Sequence, residues 1–151
     1  MGIGYGRNMI SLIVTRGLPG SGKTSMAREW VSQDRAKRAR VNRDDIRFML
    51  DEGAFQFGVT EARVLVVRNA VIISLLESGV SVICDDTNLP DRTIQDLRNL
   101  ANQADAHFRI ESFMSVPLQT CLIRNALRTD KKPIPEEAIR DMHDKYILNK
   151  P

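Results

Sequence analysis

Gly17-Leu18-Pro19-Gly20-Ser21-Gly22-Lys23-Thr24 is the stretch from which the rest of the chain can be read. It has the spacing G-x-x-x-x-G-K-[ST], in which glycines let the backbone wrap closely enough for successive N–H groups to face phosphate oxygens. The residues from Gly17 through Leu18, Pro19, Gly20, Ser21 and Gly22 are therefore expected to cradle ATP. Lys23 is expected to reach the β- and γ-phosphates, and the Thr24 hydroxyl to hold Mg²⁺. An accidental glycine-rich turn would lack the elements that such a loop joins. Here the apolar run Ile10-Ser11-Leu12-Ile13-Val14-Thr15 predicts a buried strand before it. Ser25-Met26-Ala27-Arg28-Glu29-Trp30-Val31 predicts a helix after it, with its positive N-terminal end toward the phosphates.

The bulk properties bound the rest. A chain of 151 residues suits one domain with a proper core. Its 42% apolar and 27% charged content is ordinary for a globular protein. A formal charge of +3 is too mild to argue for a polyanionic partner by itself. Cys84 and Cys121 read as packed thiols, too few for a disulfide scaffold, and no zinc spacing occurs. His107 and His143 read as structural. No apolar run approaches the roughly 20 residues of a membrane span, so no membrane partner is expected. Residues 1–8 lack the apolar segment of a signal peptide and read as a frayed leader, with Met9 as an alternative start and the domain over 9–151. A reducing, cytoplasmic location is the expectation.

Beyond the loop, strands and helices alternate. Arg38-Ala39-Arg40-Val41 reads as a second strand, leading through Asn42-Arg43-Asp44-Asp45 into a short helix over 46–50. Thr60 is expected to cap a long helix with Val64, Val67, Val71 and Leu75 inward and Gly79 just past its end. Val80–Cys84 reads as a third strand, then a helix from Pro90, a fourth strand from His107 to Met114, and a helix from Pro117 to about Arg128. A polar connector, Thr129-Asp130-Lys131-Lys132, precedes a last helix with Pro135, Glu136 and Glu137 at its start. This order predicts a single α/β P-loop domain: a parallel sheet of four to five strands, helices on both faces, and a helical lid.

Ligands of an open parallel sheet bind beyond the carboxyl ends of its strands, and the polar clusters of this chain fall there. Phosphoryl transfer needs placement, charge neutralisation and a carboxylate to accept the proton of an attacking hydroxyl. Asp44 is the candidate acceptor; it also suits a cap for the helix at 46–50. Arg47, one turn on, either clamps a substrate phosphate in bidentate fashion or pairs with Asp44. Asp85 and Asp86 end the third strand, where phosphate-loop enzymes place a carboxylate near Mg²⁺, and alternation points them in opposite directions. Arg124 and Arg128, four apart, either fold over the triphosphate as a lid or form a solvated basic face. Phe55 and Phe57 either stack on a base or pack in the core. The basic run Asp34–Arg40 enters the second strand from its amino end and so reads as a solvated loop on the opposite rim.

Asn42-Arg43-Asp44-Asp45 with Arg47, Asp86-Thr87-Asn88-Leu89, Val116-Pro117, Arg124-Asn125, Arg128 and Pro133-Ile134-Pro135, in this order after the phosphate loop, resemble the 5′-hydroxyl polynucleotide kinase domain of the phage type. The resemblance runs from about Ile10 to Tyr146. It implies transfer of the ATP γ-phosphate to 5′-hydroxyl ends of DNA or RNA with Mg²⁺. It further implies Lys23 and Thr24 on phosphates and metal, Asp44 as general base, Arg47 on the phosphate beside the acceptor nucleoside, Asp86 with Thr87 at the acceptor, and Arg128 with Arg124 over the donor. The extra carboxylate Asp85 leaves the metal position open between the two aspartates, with Asp85 and Thr24 favoured. Arg16 is an addition without an evident role. The phosphatase motif Asp-x-Asp-Gly-Thr is absent, so the chain reads either as a kinase-only protein or as a fragment of a longer end-repair enzyme, with room for a companion phosphatase or ligase domain on another chain or outside this fragment. A kinase for a small metabolite, nucleoside or antibiotic, and a non-catalytic ATP-binding switch, are the alternatives.

Overall fold

β1 (Ser11–Arg16) lies inside a sheet because it is apolar on both faces, as strands of parallel sheets are. The structure, a computed structural model, describes residues 9–53 and 58–149. The leader and the candidate stacking residues Phe55 and Phe57 lie outside those. After β1 come α1 (Lys23–Ser32), β2 (Arg38–Val41), α2 (Arg43–Asp51), α3 (Thr60–Glu77), β3 (Ser81–Cys84), α4 (Asp91–Gln103), β4 (His107–Ser112), α5 (Leu118–Leu127) and α6 (Glu136–His143). A π-helical turn, Asp144–Leu148, continues α6. The strands form one parallel sheet in the order β2-β3-β1-β4. Val14 stands opposite Cys84 on β3 and Ile110 on β4, and Val41 opposite Cys84. That register brings the loops after β1, β2 and β3 to one rim.

Alternation along β1 divides the core. Leu12 and Val14 face a cluster with Ile46, Val64, Ile72, Ile94 and Leu97, contributed by α2, α3 and α4. Ile13 faces the other way, with Ile83 and Ala27, against α1. A third cluster sits beyond the rim, where Leu18 and Leu89 pack against Cys121, Leu122 and Ile139 of α5 and α6. The last two helices are thus fastened over the phosphate loop as the expected lid. Both cysteines are free and buried.

Local expectations change in two helices. α2 starts at Arg43, not 46, because Asn42 caps it: the Asp45 N–H donates to Asn42 Oδ1 at 2.9 Å, and Asn42 Nδ2 donates back to Asp45 Oδ2 at 2.7 Å. Asp44 is therefore not the cap. α3 begins with Thr60 as its first residue, with Val59 in the cap position. The face of α3 turned to the sheet is Thr60, Val64, Arg68, Ile72 and Leu76, while Val67, Val71 and Leu75 flank it half-buried. Apolar spacing could not find that row, because it contains an arginine.

Candidate active site

A cleft of about 940 Å³ opens on the carboxyl rim and is lined by the phosphate loop, Asp44, Arg47, Asp85, Asp86, Thr87, Arg124 and Arg128. Among the described residues, the expected acceptor-side and lid residues therefore line one space with the loop, at the upper end of ligand-pocket sizes.

The loop is held from several sides. The Gly17 N–H donates to the Thr87 carbonyl at 3.0 Å, joining it to the end of β3. Gly22 precedes α1 with φ +103, a left-handed conformation that a side chain would strain. A Cβ at Gly20 would lie 2.3 Å from the Cys121 carbonyl oxygen, so α5 rests directly on the loop backbone. Arg124 crosses the same surface, donating to the Ser21 carbonyl at 3.3 Å. Leu18 has its side chain in the lid core, while its carbonyl accepts from Lys23 Nζ at 2.6 Å; the Ser21 hydroxyl is 3.3 Å from the same nitrogen. Lys23 is buried, and that desolvation, against the opposing pull of Asp85 and Asp86, brings its pKa down to about 8. An arriving phosphate supplies the anion that this ammonium lacks.

Across the cleft, Asp44 is half-exposed at the start of α2 and has a cation on each oxygen. Arg47 Nη1 lies 2.5 Å from Oδ1 and Lys131 Nζ 2.6 Å from Oδ2. Desolvation pushes this carboxyl upward, but the Lys131 hydrogen bond and charge, then Arg47 and Arg43, outweigh it and hold the pKa below the ordinary carboxylate value. Arg47 also grips Glu61 with Nε, at 2.9 Å to Oε2, and with Nη2 to Oε1. Both readings of Arg47 therefore remain compatible with one site: it lines the cleft and it pairs.

The two strand-end aspartates do point apart. Asp85 turns to the α1 side, where Arg40 Nε lies 2.7 Å from its Oδ2. Asp86 turns toward α2 and α3, accepting from the Arg43 N–H at 3.1 Å with the Arg43 guanidinium 3.5 Å away. Burial raises the Asp86 pKa, partly offset by Arg43 and Arg68. Arg40 corrects the reading of the basic run. As the third residue of β2 it reaches the functional rim, while Arg38 behind it stacks 4.7 Å from the Trp30 ring. Arg16 also gains a role, fastening β1 to α4 through the Leu89 carbonyl and Asp91, 2.7 Å from Oδ1.

Sequence reasoning passed over Arg43, Glu61, Arg68 and Lys131. Arg43 stood inside the quoted motif and could have been singled out. Lys131 could not, since 87 positions separate it from Asp44. Arg128, at the end of α5, lines the cleft and pairs with Asp130 at 3.2 Å.

Among the described residues no group of three or more His, Cys, Asp or Glu is placed to hold a metal. Thr24 and Asp85 nonetheless offer the hydroxyl and carboxylate oxygens that Mg²⁺ takes when substrate phosphates complete its shell. The residues fit that ion. No helix among the described residues is long and apolar enough to cross a membrane.

Residues 12–148 match a protein-family model described as an AAA domain. The L-seryl-tRNA(Sec) kinase of Methanococcus maripaludis is 32% identical over 139 residues, 89% of this chain and 52% of its own length. A protein of Autographa californica nuclear polyhedrosis virus, named as a bifunctional polynucleotide kinase/RNA ligase, is 26% identical over 90% of this chain and 21% of its own. Among solved structures, a chain of the Pnkp1/Rnl/Hen1 RNA repair complex superposes with a TM-score of 0.82 at 27% identity, covering 98% of this chain and 47% of that one. The chain thus spans about half the length of the first relative and a fifth of the second.

Proposed function

The chain belongs to the AAA domain family, and from that premise we propose that it is a P-loop kinase transferring the γ-phosphate of ATP to the 5′-hydroxyl end of DNA or RNA. One observation carries this reading. A carboxylate, Asp44, lines the same open cleft as Lys23, with Arg47 beside it and Asp85 and Thr24 also in the lining. A nucleotide-binding switch has no need of such an acceptor-side carboxylate. The viral relative and the RNA repair complex support a polynucleotide acceptor.

In this reading the loop and Lys23 hold the β- and γ-phosphates, Arg124 and Arg128 cover them, and Thr24 and Asp85 hold Mg²⁺, which neutralises charge on the leaving oxygens when bound. Lys131 leaves Asp44 Oδ2 for the arriving phosphates. That oxygen accepts the proton of the 5′-hydroxyl as its oxygen bonds to the γ-phosphorus and the bridging bond to ADP breaks. Arg47 holds the phosphate on the 3′ side of the same nucleoside. Asp86 and Thr87 shape the acceptor wall, Asp86 by anchoring Arg43. The companion activities named for the relatives, a ligase in particular, would lie outside this chain.

Incubation with γ-labelled ATP and a 5′-hydroxyl oligonucleotide tests the proposal, with label expected on the oligonucleotide. Asp44→Asn should bind ATP normally and lose about 100-fold or more in kcat; wild-type labelling by that variant would remove Asp44 from its role. The Methanococcus relative favours a second reading, a hydroxyl on an aminoacyl-tRNA. The same screen includes seryl-tRNA and small hydroxyl compounds, and label on these alone would replace the first reading.

A further inference from the structure

Arg68 occupies the middle of the buried row of α3, between Val64 and Ile72, and is 3% exposed. Its Nε and Nη2 both donate to one neutral acceptor, Asn69 Oδ1, at 3.1 and 3.0 Å. Its Nη1 is buried without a hydrogen-bond partner among the described residues, whereas the neighbouring Arg43 has Asp86 Oδ2 3.5 Å from its Nε. A buried guanidinium without a paired carboxylate is costly, and an apolar side chain of similar volume would serve the fold better. Asp86, the nearest buried carboxylate on that side of the sheet, is already engaged by the Arg43 N–H and guanidinium.

A second cavity, of about 330 Å³, opens beside Arg43 and Arg68. It runs between α3 and α4, lined by Arg43, Arg68, Asn69, Thr93, Asp96 and Asn99, and shares Arg43 with the main cleft. The guanidiniums match the oxygens of a phosphate. The amides, the hydroxyl and the Asp96 carboxylate match the donors and acceptors of a base or sugar, which inorganic phosphate would not use. Asp96 also disfavours a highly charged di- or triphosphate and tolerates a singly charged diester.

We propose that this cavity is an acceptor-strand subsite, taking the phosphodiester and nucleoside that follow the nucleotide held at Asp44 and Arg47. The proposal rests on the polynucleotide reading above, and it makes acceptor length a property of the groove between α3 and α4. Thr93→Glu and Asn99→Asp place carboxylates at the mouth of the cavity without touching the main cleft. Each should raise KM for a 5′-hydroxyl tetranucleotide by about tenfold or more, the loss of one charge-assisted contact. Each should leave kcat, and the KM for a nucleoside 3′-monophosphate, within about twofold of wild type. Arg68→Met, checked for folding by urea titration, should behave likewise. Equal losses on both acceptors, or no loss on the tetranucleotide, would overturn the subsite. Binding of a fluorescent tetranucleotide, followed by anisotropy, reads the cavity without transfer. If no acceptor is phosphorylated, weakened binding in Thr93→Glu still supports the subsite while the kinase reading fails. Unchanged binding, or displacement of the tetranucleotide by millimolar inorganic phosphate alone, overturns it.

Discussion

Asp44 holds a cation on each carboxylate oxygen, so its readiness for the proposed role as a base depends on which cation moves. Lys131 sits on the connector after Arg128 and has the phosphate loop within the same cleft, whereas Arg47 is fixed by Glu61. Lys131→Met removes the hydrogen bond and charge that hold the Asp44 pKa down. The acid limb of kcat/KM should then move to higher pH, and a pH–rate profile measures it; an unmoved limb would detach Lys131 from the base. Lys23 supplies a second titration. Its pKa is about 8 in the folded protein against 10.5 for an unburied lysine, so the unfolded chain binds more protons between those values. Stability without nucleotide should therefore rise with pH across that window, by about 3 kcal/mol in full, measured by urea titration. Phosphate binding favours the protonated amine. ATP affinity should thus fall by up to about tenfold per pH unit above 8, with proton uptake seen calorimetrically in buffers of different ionisation enthalpy.

Among the elements, α2 carries most of the proposed acceptor side, and its start fixes where Asp44 and Arg47 point. Asn42 is 5% exposed and exchanges hydrogen bonds with Asp45 in the first turn. Asn42→Ala should cost about 1 kcal/mol in a urea titration and lower kcat further than that loss of folded protein explains, because the turn bearing Asp44 loosens. α5 meets the loop with no space to spare. Gly20→Ala combines a left-handed φ of +80 with a Cβ 2.3 Å from the Cys121 carbonyl oxygen. It should cost about 2 kcal/mol or more and weaken ATP binding as the helix lifts away, read by thermal unfolding with and without nucleotide. The turn at Gly17–Thr24, the strands β1 and β2, and the glycine after α3 were all legible, because each is written in a few adjacent residues of restricted backbone preference. The inward row of α3 was not, since burial of Arg68 contradicts the apolar periodicity by which such rows are found.

For the whole molecule, the parallel order β2-β3-β1-β4 sets the chemistry, because it delivers three strand ends to one rim beside the loop. The lid core of Leu18, Leu89 and Ile139 then fastens α5 and α6 above that rim. By itself the sequence determined the phosphate loop, the α/β alternation, the rim on which polar residues gather, and the candidates Asp44, Arg47, Asp85, Asp86, Arg124 and Arg128. Local spacing and backbone preference are enough for those. Only the tertiary structure decided that Asp85 pairs with Arg40 and Asp86 with Arg43, that Lys131 occupies the candidate base, and that Arg68 is enclosed against a second cavity. Those contacts join residues far apart in the chain, and their partners follow from how crossovers pack side chains in space, to which no short pattern in the sequence corresponds.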